Sequence, residues 1–398
     1  MRSIGTHVRG IRAPIIKEGD DVVDIAVDSL KNSWESEGYS LKDKDVVGIT
    51  ESFVARAQGN YITVDDIAQK IKEKYSRSVG IIFPILSRNR FSLILKGIAR
   101  SNRDIYLQLS YPDDEVGNSL LQEEKIEELG INPYTDVISE EEYYRHFGDF
   151  EHPFTGINYV GYYRNIIEKE VSSETEVKII LSNRVNTILD YTKDVLAADI
   201  HTRFKTKRKL KGQGARTVYG LDDLFTEPEN KKGYNPKYGL LGSNKASEER
   251  LKLFPKNGEK VVNEIQKKLH DLTGRNVEVM IFGDGAFKDP VGKIWELADP
   301  VVSPAYTSGL DGTPNEVKLK YLADNKLNDL NDQHLLDTIK KEIKQKEDNL
   351  VGENKSQGTT PRQLTDLLGS LCDLACGSGD KGTPIILIQG YFDSLAEN

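Results

Sequence analysis

A glycine-rich loop near the carboxyl end of the chain carries the residue types that bind phosphate. Residues 376–384 read CGSGDKGTP, and the apolar run IILIQ follows them. Glycine allows backbone N–H groups to approach an anion closely, because no side chain intervenes. Lys381 adds a mobile positive charge that suits a phosphate group. The same composition is typical of a plain connecting loop, so this segment alone leaves both interpretations open.

Acidic residues follow two other apolar runs. Asp113 and Asp114 come after the run at 104–110, and Asp284 comes after the run at 276–282. Hard divalent cations prefer oxygen ligands and usually bridge to substrate phosphates, so these carboxylates are candidate metal ligands. Two alternatives stay open, because Asp113 and Asp114 can cap a following helix and Asp284 can be a turn residue beside glycine.

The two cysteines of the chain, Cys372 and Cys376, lie one helical turn apart. Thiols at this spacing rarely form a structural disulfide, and no histidine or further cysteine lies nearby in sequence to complete a metal site. Buried apolar thiols are therefore the favoured interpretation.

The elements that must position these residues are strands and helices in irregular order. The predicted strands are apolar runs rich in Ile and Val, at 45–50, 79–86, 104–110, 177–181, 276–282 and 384–389. The predicted helices have apolar residues at three- and four-residue spacing, at 20–34, 64–75, 88–100, 184–200, 258–272, 334–346 and 361–376. Surface excursions are predicted at 203–211, which is strongly basic, at 227–239 and at 341–358. This mixture without strict alternation favours an α+β fold over a doubly wound sheet.

The composition is that of a globular protein. Of the 398 residues, 37% are hydrophobic and 29% are charged, and the formal net charge is −9. The excess of acidic residues disfavours nucleic acid as a partner. No window approaches the roughly 18 apolar residues that span a bilayer, and the first residues lack the apolar core of a signal peptide. We therefore predict a cytoplasmic protein without a membrane partner.

The amino-terminal segment resembles the opening of the coenzyme F420-0 γ-glutamyl ligases. Residues 10–21 read GIRAPIIKEGDD, and that family has a Gly-Leu-Pro-like turn before an Ile-Lys-Glu-Gly-Asp-Asp run. The resemblance implies that the turn contacts a guanine nucleotide through Ala13, Pro14, Ile15 and Ile16. Residues 50–59 are similar to the family's Ser-Lys-Ala-Glu-Gly segment, which implies nucleotide contacts at Ser52 and at Arg56, where the family has lysine.

Two further segments are similar to the family's metal-binding regions. Residues 111–118 resemble a Gly-Ile-Asp-x-Ser-Asn segment, which implies Asp114 as a metal ligand, with Asp113 as the alternative. In the same segment Asn118 is the implied nucleotide contact, one residue further along than in the family. Residues 277–285 resemble a strand that ends in Asp-Thr, which implies metal contacts through Asp284 and Gly285.

Residues 377–390 match the family's glycine-rich nucleotide loop and the strand after it. The implied nucleotide contacts in this loop are Gly377, Ser378, Gly379, Asp380, Lys381 and Gly382. Ser378 or Gly379 stands where the family has a metal-contacting glutamine, and Gln389 stands where it has an arginine.

The resemblance implies an α+β fold with mixed sheets surrounded by helices, and a ligase activity. In such an enzyme GTP or ATP, together with Mg²⁺ or Mn²⁺, activates a carboxylate as an acyl phosphate. An amino acid, L-glutamate, then forms an amide with the small-molecule acceptor. Asp114 and Asp284 are the implied catalytic residues, since they would hold the metal. The resemblance also implies a homodimer.

The same segments suggest three parts of the chain. Residues 1–118 are expected to be the amino-terminal part of the ligase core, and 276–398 its carboxyl-terminal part with the nucleotide loop. Residues 119–275 are expected to be an insertion that carries substrate or interface residues. The alternative functions are a non-catalytic nucleotide- or polyanion-binding protein on the same fold, and a folate-type glutamyl ligase.

Overall fold

The chain folds as two compact units in the computed structural model. The first unit comprises Met1–Ala57, Asn257–Asp289 and Lys293–Asn398, and the second comprises Gln58–Lys256 and Pro290–Gly292. The structure describes residues 4–153, 155–229, 232–283, 286–288, 295–297, 303–326, 332–356, 362–377 and 379–396.

The elements are numbered in chain order. The described strands are β1 His7–Ile11, β2 Val46–Thr50, β3 Tyr61–Thr63, β4 Ser78–Ile82, β5 Asp104–Leu109, β6 Ile138–Ser139, β7 Val177–Leu181, β8 Asp194–Ala197, β9 Thr217–Gly220, β10 Asn244–Ser247, β11 Arg250–Lys252, β12 Glu278–Phe282, β13 Ala286–Lys288, β14 Trp295–Leu297, β15 Ala305–Tyr306 and β16 Ile385–Gln389. The described α-helices are α1 Val22–Glu37, α2 Glu51–Ala57, α3 Val64–Lys74, α4 Phe91–Arg100, α5 Glu123–Glu128, α6 Glu140–Phe147, α7 Tyr159–Glu168, α8 Arg203–Gly212, α9 Gly258–Thr273, α10 Leu319–Lys326, α11 Asp332–Lys344 and α12 Leu364–Ala375.

The first unit is built on a five-stranded mixed sheet with the strand order β1-β16-β2-β12-β15. β2 and β12 run parallel, and the other neighbours are antiparallel. Val47 and Ile49 of β2 pack with α1 and α9, whereas Val46 packs with α12. Because helices cover both faces, the central strands are almost entirely apolar, which explains why the sequence shows them as continuous runs.

Gly48, in the middle of β2, allows α12 to lie close to the sheet. A Cβ atom on Gly48 would stand 2.4 Å from Sγ of Cys372 and 3.2 Å from Cδ1 of Phe282. Cys372 is buried as predicted, whereas Cys376 is only half-buried. A glycine is therefore needed at this position for the helix to keep its place.

Local sequence signals define both ends of α1. The Asp21 side chain accepts hydrogen bonds from the backbone N–H groups of Val23 and Asp24, each at 3.0 Å. The helix ends at Gly38, whose φ of 69° lies in the left-handed region that favours glycine. The chain then turns at Asp43 and Lys44 and enters the sheet as β2.

The second unit contains a six-stranded sheet with the order β6-β7-β5-β4-β8-β9. Its neighbours are parallel except for β6, which is antiparallel to β7. Helix α8 packs on one face of this sheet, while α3, α4 and α7 pack on one another. A separate antiparallel sheet has the order β10-β11-β3. Where the chain enters and leaves this unit, Gln58 and Lys256 exchange two hydrogen bonds of 2.7 and 2.9 Å.

The α+β prediction is confirmed, and each of the predicted strands is present. The predicted helix at 184–200 is wrong, because Thr187–Asp190 forms a 3₁₀ turn and β8 follows it. β8 lies between β4 and β9 with its residues buried, so its apolar run belongs to a sheet. The basic run at 203–211, predicted to be a surface excursion, forms α8 and buries Leu210 in the core. Among the described helices, none is both long and apolar enough to span a bilayer.

The compact units divide the chain differently from the predicted parts. The predicted boundaries follow residues 118 and 275, whereas the units change after Ala57 and Lys256. The reason is strand pairing, since β4 and β5 pair with β8 and β7 of the predicted insertion. Residues 58–118 therefore fold together with the segment that follows them.

Candidate functional site

Strand pairing brings three distant segments of the first unit to one edge of its sheet. Ile385 is opposite Ile11 in one ladder and opposite Ile49 in the other. The end of β1, the end of β2 and the start of β16 therefore lie side by side. The segments 12–16, 50–57 and 376–384 adjoin these strand ends.

Hydrogen bonds fix the three segments to one another. The Ala13 N–H donates to the Gly382 carbonyl at 3.3 Å, and the Thr50 N–H donates to the Pro384 carbonyl at 3.0 Å. The glycine-rich loop thus contacts both the turn after β1 and the end of β2. These segments are far apart in the sequence, and only the fold brings them together.

A cavity of about 250 Å³ lies where the segments meet, and we call it the first cavity. Its lining residues are Ala13, Pro14, Ile15, Ile16, Thr50, Ser52, Phe53, Arg56, Cys376, Gly377, Gly382 and Pro384. Eight of these are predicted nucleotide contacts. Thr50, Phe53, Cys376 and Pro384 were missed, although each lies within two residues of a predicted contact.

Arg56 is the charged side chain among the residues that line the first cavity. Its Nε donates a hydrogen bond of 3.1 Å to the carbonyl of Ile16. This bond holds the guanidinium against the turn that follows β1. Apart from Arg56 the walls are largely apolar, and Ile15 is 82% exposed at the rim. Such a cavity offers an apolar surface to a flat ring and a fixed cation to an anion.

The glycine-rich loop is closed by Thr383. The Gly377 N–H donates to Thr383 Oγ1 at 2.8 Å, and the Thr383 N–H donates to the Gly377 carbonyl at 3.3 Å. Gly382 has a φ of 62°, which favours glycine. A Cβ atom on Gly377 would stand 2.3 Å from Cβ of Lys381, so a larger residue there would displace the loop. The role of Thr383 was missed, because a threonine after glycine has no distinctive sequence signal.

Of the other predicted residues of this loop, Gly379, Asp380 and Lys381 are not among the described residues that line the first cavity. Lys381 lines a second cavity, together with Arg9 and Arg12 of the amino-terminal segment. Gly379 and Asp380 are exposed. Ser378 lies outside the described residues. The loop therefore presents its glycine backbone to the first cavity and its lysine to the second.

Asp114 lies in the second unit, after β5, and its carboxylate is engaged by backbone and amide donors. Oδ2 accepts from the Leu86 N–H at 2.7 Å and from Asn118 Nδ2 at 2.8 Å. Oδ1 accepts from the N–H groups of Val116 at 3.1 Å and Asn118 at 2.8 Å. Burial raises the pKa of Asp114 above its usual range, and these donors oppose the rise.

This arrangement does not fit a metal ligand, because a cation at Asp114 would have to displace at least one of four N–H donors. Asn118 donates to Asp114 through its backbone N–H and its side-chain amide, and its predicted contact with nucleotide stays a prediction. Asp113 is exposed beside Asp114. Asp284 and Gly285 lie outside the described residues. Within the described ranges, no group of three or more His, Cys, Asp or Glu side chains could hold a metal ion.

Glu115, which follows Asp113 and Asp114 in the same acidic run, has an unusual environment in the second unit. Its carboxylate accepts hydrogen bonds from the N–H groups of Ile200 and His201. Burial and the nearby Asp199 raise the pKa of Glu115 to about 7. A hydrophobic pattern cannot reveal this environment, because the donors Ile200 and His201 lie 85 and 86 residues further along the chain.

Comparison with known proteins identifies one family. The family model described as F420-0:Gamma-glutamyl ligase matches residues 10–390. A comparison with curated proteins finds no match. A solved biosynthetic arginine decarboxylase from Campylobacter jejuni aligns at 12% identity over 91% of this chain and 68% of that chain, with a TM-score of 0.15, which is too low to bear on the fold. The family match spans nearly all of both units, and the chain belongs to the F420-0:gamma-glutamyl ligase family.

Proposed function

We propose that the protein is a nucleotide-dependent ligase that joins a carboxylate acceptor to L-glutamate through a γ-glutamyl-type amide bond. The proposed nucleotide is GTP or ATP, and the proposed metal cofactor is Mg²⁺ or Mn²⁺. Membership of the γ-glutamyl ligase family supports the ligase activity. The observation that carries the nucleotide proposal is the first cavity, where the glycine-rich loop, the turn after β1 and Arg56 converge.

The proposed chemistry follows from the poor reactivity of a carboxylate. An oxygen of the acceptor carboxylate attacks the γ-phosphorus, the nucleoside diphosphate leaves, and an acyl phosphate forms. The amine of glutamate then attacks the acyl carbon, inorganic phosphate leaves, and the amine loses a proton to water. A divalent cation, when bound, would neutralise the charge of the phosphate oxygens.

The residues of the first unit would act by binding and positioning. The apolar wall formed by Ile15 and Phe53 suits the face of a nucleotide base. Arg56, held by its bond to the Ile16 carbonyl, and the Gly377 and Gly382 backbone suit the phosphates. No nucleophilic side chain is required, because positioning and charge neutralisation supply most of the rate in phosphoryl transfer.

The metal proposal omits Asp114, although the resemblance implies it as a ligand. Since the donor set around Asp114 does not fit a cation, we derive no step through a metal at that residue. The roles of Asp113, Asp284 and Gly285 in metal binding, and the catalytic role of Asp284, stay predictions from the resemblance. The homodimer also stays a prediction, and light scattering on the purified protein would measure it.

Release of inorganic phosphate tests the proposal. The purified protein is mixed with GTP or ATP, Mg²⁺ or Mn²⁺, L-glutamate and one acceptor, either F420-0 or a folate, and the product is weighed by mass spectrometry. We expect phosphate release that requires both acceptor and glutamate, and a product heavier by one glutamyl residue. Arg56→Gln should lower the rate, whereas Arg77→Gln, at an exposed arginine of the second unit, should not.

Binding of nucleotide without phosphate release for every acceptor would contradict the ligase proposal. That result would favour the non-catalytic nucleotide-binding alternative. Equal rates in Arg56→Gln and Arg77→Gln would remove Arg56 from the proposed site.

A further inference from the structure

A second cavity of the first unit, of about 810 Å³, has the charge and size of a site for a substrate acid. Its lining residues are Arg9, Gly10, Ile11, Arg12, Ser29, Asn32, Ser33, Ser36, Glu37, Tyr39, Lys381 and Thr383. The same two segments line both cavities. Residues 9–12, 381 and 383 line the second cavity, whereas residues 13–16, 382 and 384 line the first. The two cavities are therefore formed by the same amino-terminal segment and the same glycine-rich loop, although no lining residue is common to both.

Three cations and one carboxylate line this cavity, in a chain whose formal net charge is −9. The cations are Arg9, Arg12 and Lys381, and the carboxylate is Glu37. In the described part of the chain, no ion pair joins Arg12 or Lys381 to a carboxylate, whereas Arg100, Arg203 and Lys207 are each paired with one. Unpaired cations that face a concave surface concentrate a positive potential there, which attracts anions.

Arg9 is held in place from two sides. Its Nη1 donates a hydrogen bond of 2.7 Å to Gln389 Oε1, and its guanidinium lies 4.5 Å from the ring centroid of Tyr39. The Gln389 side chain is fixed in turn, since its Nε2 donates to Asp45 Oδ2 at 2.6 Å. An arginine that is already ordered loses less side-chain entropy when it binds an anion.

Helix α1 forms a polar part of the wall. Ser29, Ser33 and Ser36 occupy successive turns of this helix, and Asn32 lies among them. The hydroxyl groups of Ser33 and Tyr39 are 2.8 Å apart. These neutral hydrogen-bonding groups, together with the cations, suit a ligand that has both charged and uncharged polar groups.

We infer that the second cavity binds the acceptor substrate, and that this acceptor carries two or more carboxylates. This inference rests on the proposed function, because it assigns the neighbouring first cavity to the nucleotide. A volume of about 810 Å³ suits a substrate larger than an amino acid. Arg9, Arg12 and Lys381 bind the carboxylates that do not react.

Citrate is the probe for this site, because it is a small acid with three carboxylates. Calorimetric titration of citrate into the wild-type protein should show binding. Arg9→Gln and Arg12→Gln should each raise the dissociation constant of citrate roughly tenfold or more, because each removes a charge-assisted hydrogen bond. Lys31→Gln is the matched control, because Lys31 belongs to α1, pairs with Glu35 and does not line the cavity. GTP binding by Arg12→Gln should equal that of the wild type.

The outcomes separate this inference from the proposed function. If the wild-type protein binds no citrate, or if Arg12→Gln and Lys31→Gln weaken citrate binding equally, the inference is overturned. If citrate binding depends on Arg9 and Arg12 but no acceptor supports phosphate release, the acid site stands and the ligase proposal fails. Arg9 is partly buried, so thermal melting of Arg9→Gln is needed to show whether the substitution has changed the fold. If it has, Arg12→Gln alone decides the result, because Arg12 is exposed.

Discussion

Replacing Gly48 with alanine tests whether the packing of α12 on the first sheet sets the position of the glycine-rich loop. The added methyl carbon would stand 2.4 Å from Sγ of Cys372, whereas non-bonded heavy atoms settle at about 3.5–4.0 Å. Helix α12 must therefore move by roughly 1 Å. Overpacking of this kind lowers the free energy of unfolding by roughly 1–3 kcal/mol.

A second substitution provides the control, because Cys372→Ala removes the sulfur that the methyl group would meet. The double variant should lose less stability than the sum of the two single losses, by about 1 kcal/mol, since the two residues are in contact. Urea denaturation followed by tryptophan fluorescence is the assay. Both tryptophans, Trp34 and Trp295, belong to the first unit, so the signal reports the unfolding of that unit.

The same variants connect stability to the site. α12 ends at Ala375, directly before Cys376 and Gly377 of the first cavity. Gly48→Ala should therefore weaken nucleotide binding, and the added Cys372→Ala should restore part of it. An unchanged urea midpoint for Gly48→Ala, or losses that add without coupling, would refute this reasoning.

Thr383→Val removes the acceptor of the Gly377 N–H, so it should weaken nucleotide binding in a calorimetric titration and lower the free energy of unfolding by about 1 kcal/mol. Thr383→Ser keeps the hydroxyl group, so its nucleotide affinity and its stability should equal those of the wild type. Cys376 lines the first cavity, and burial raises the pKa of its thiol to about 11. Alkylation of Cys376, measured by mass spectrometry, should therefore be slow at neutral pH and accelerate as the pH rises. GTP or ATP should slow the alkylation, because a nucleotide in the cavity would cover the thiol. Between pH 4.5 and about 7 the folded protein keeps a proton on Glu115 that the unfolded chain loses, so the free energy of unfolding of the second unit should fall as the pH rises through this range. Urea titrations at several pH values measure this dependence, and Glu115→Gln should flatten it.

Each of these expectations has a contradicting result. Equal nucleotide affinity in Thr383→Val and Thr383→Ser would show that the Oγ1 bond does not shape the loop. Alkylation of Cys376 at the same rate with and without nucleotide would place the nucleotide elsewhere. A pH dependence of stability that survives Glu115→Gln would assign it to other acids.

The sequence predicts the central strands well, because burial on both faces makes them continuous apolar runs. β7 is predicted with its observed ends, Val177–Leu181. β1 was missed, since it is the edge strand and its residues are largely exposed. The wrong helix at 184–200 has a related cause, because the apolar run of β8 fits a helical spacing when the neighbouring strands are unknown. The local sequence pattern thus identifies strands that are buried on both faces. It fails for segments whose secondary structure depends on the neighbouring strands of the sheet.

The candidate site was predictable in its segments and not in its side-chain roles. Glycine and lysine composition indicated the 376–384 loop, and the family resemblance implied the segments at 13–16 and 50–59; strand pairing brings the three together. Lys381 belongs to the second cavity, and Asp114 is engaged by four donors, because both roles depend on neighbours distant in sequence. Arg9 was overlooked for the same reason, since its partner Gln389 lies 380 residues away.

The central claim is that the first cavity binds the nucleotide of a γ-glutamyl ligase. Photoaffinity labelling with azido-GTP and azido-ATP, followed by peptide mapping, tests it most directly. We predict labelled peptides from residues 10–16, 50–59 or 376–384, with labelling abolished by excess GTP or ATP. Labelling confined to residues 60–256, or labelling that excess nucleotide leaves unchanged, would contradict the claim.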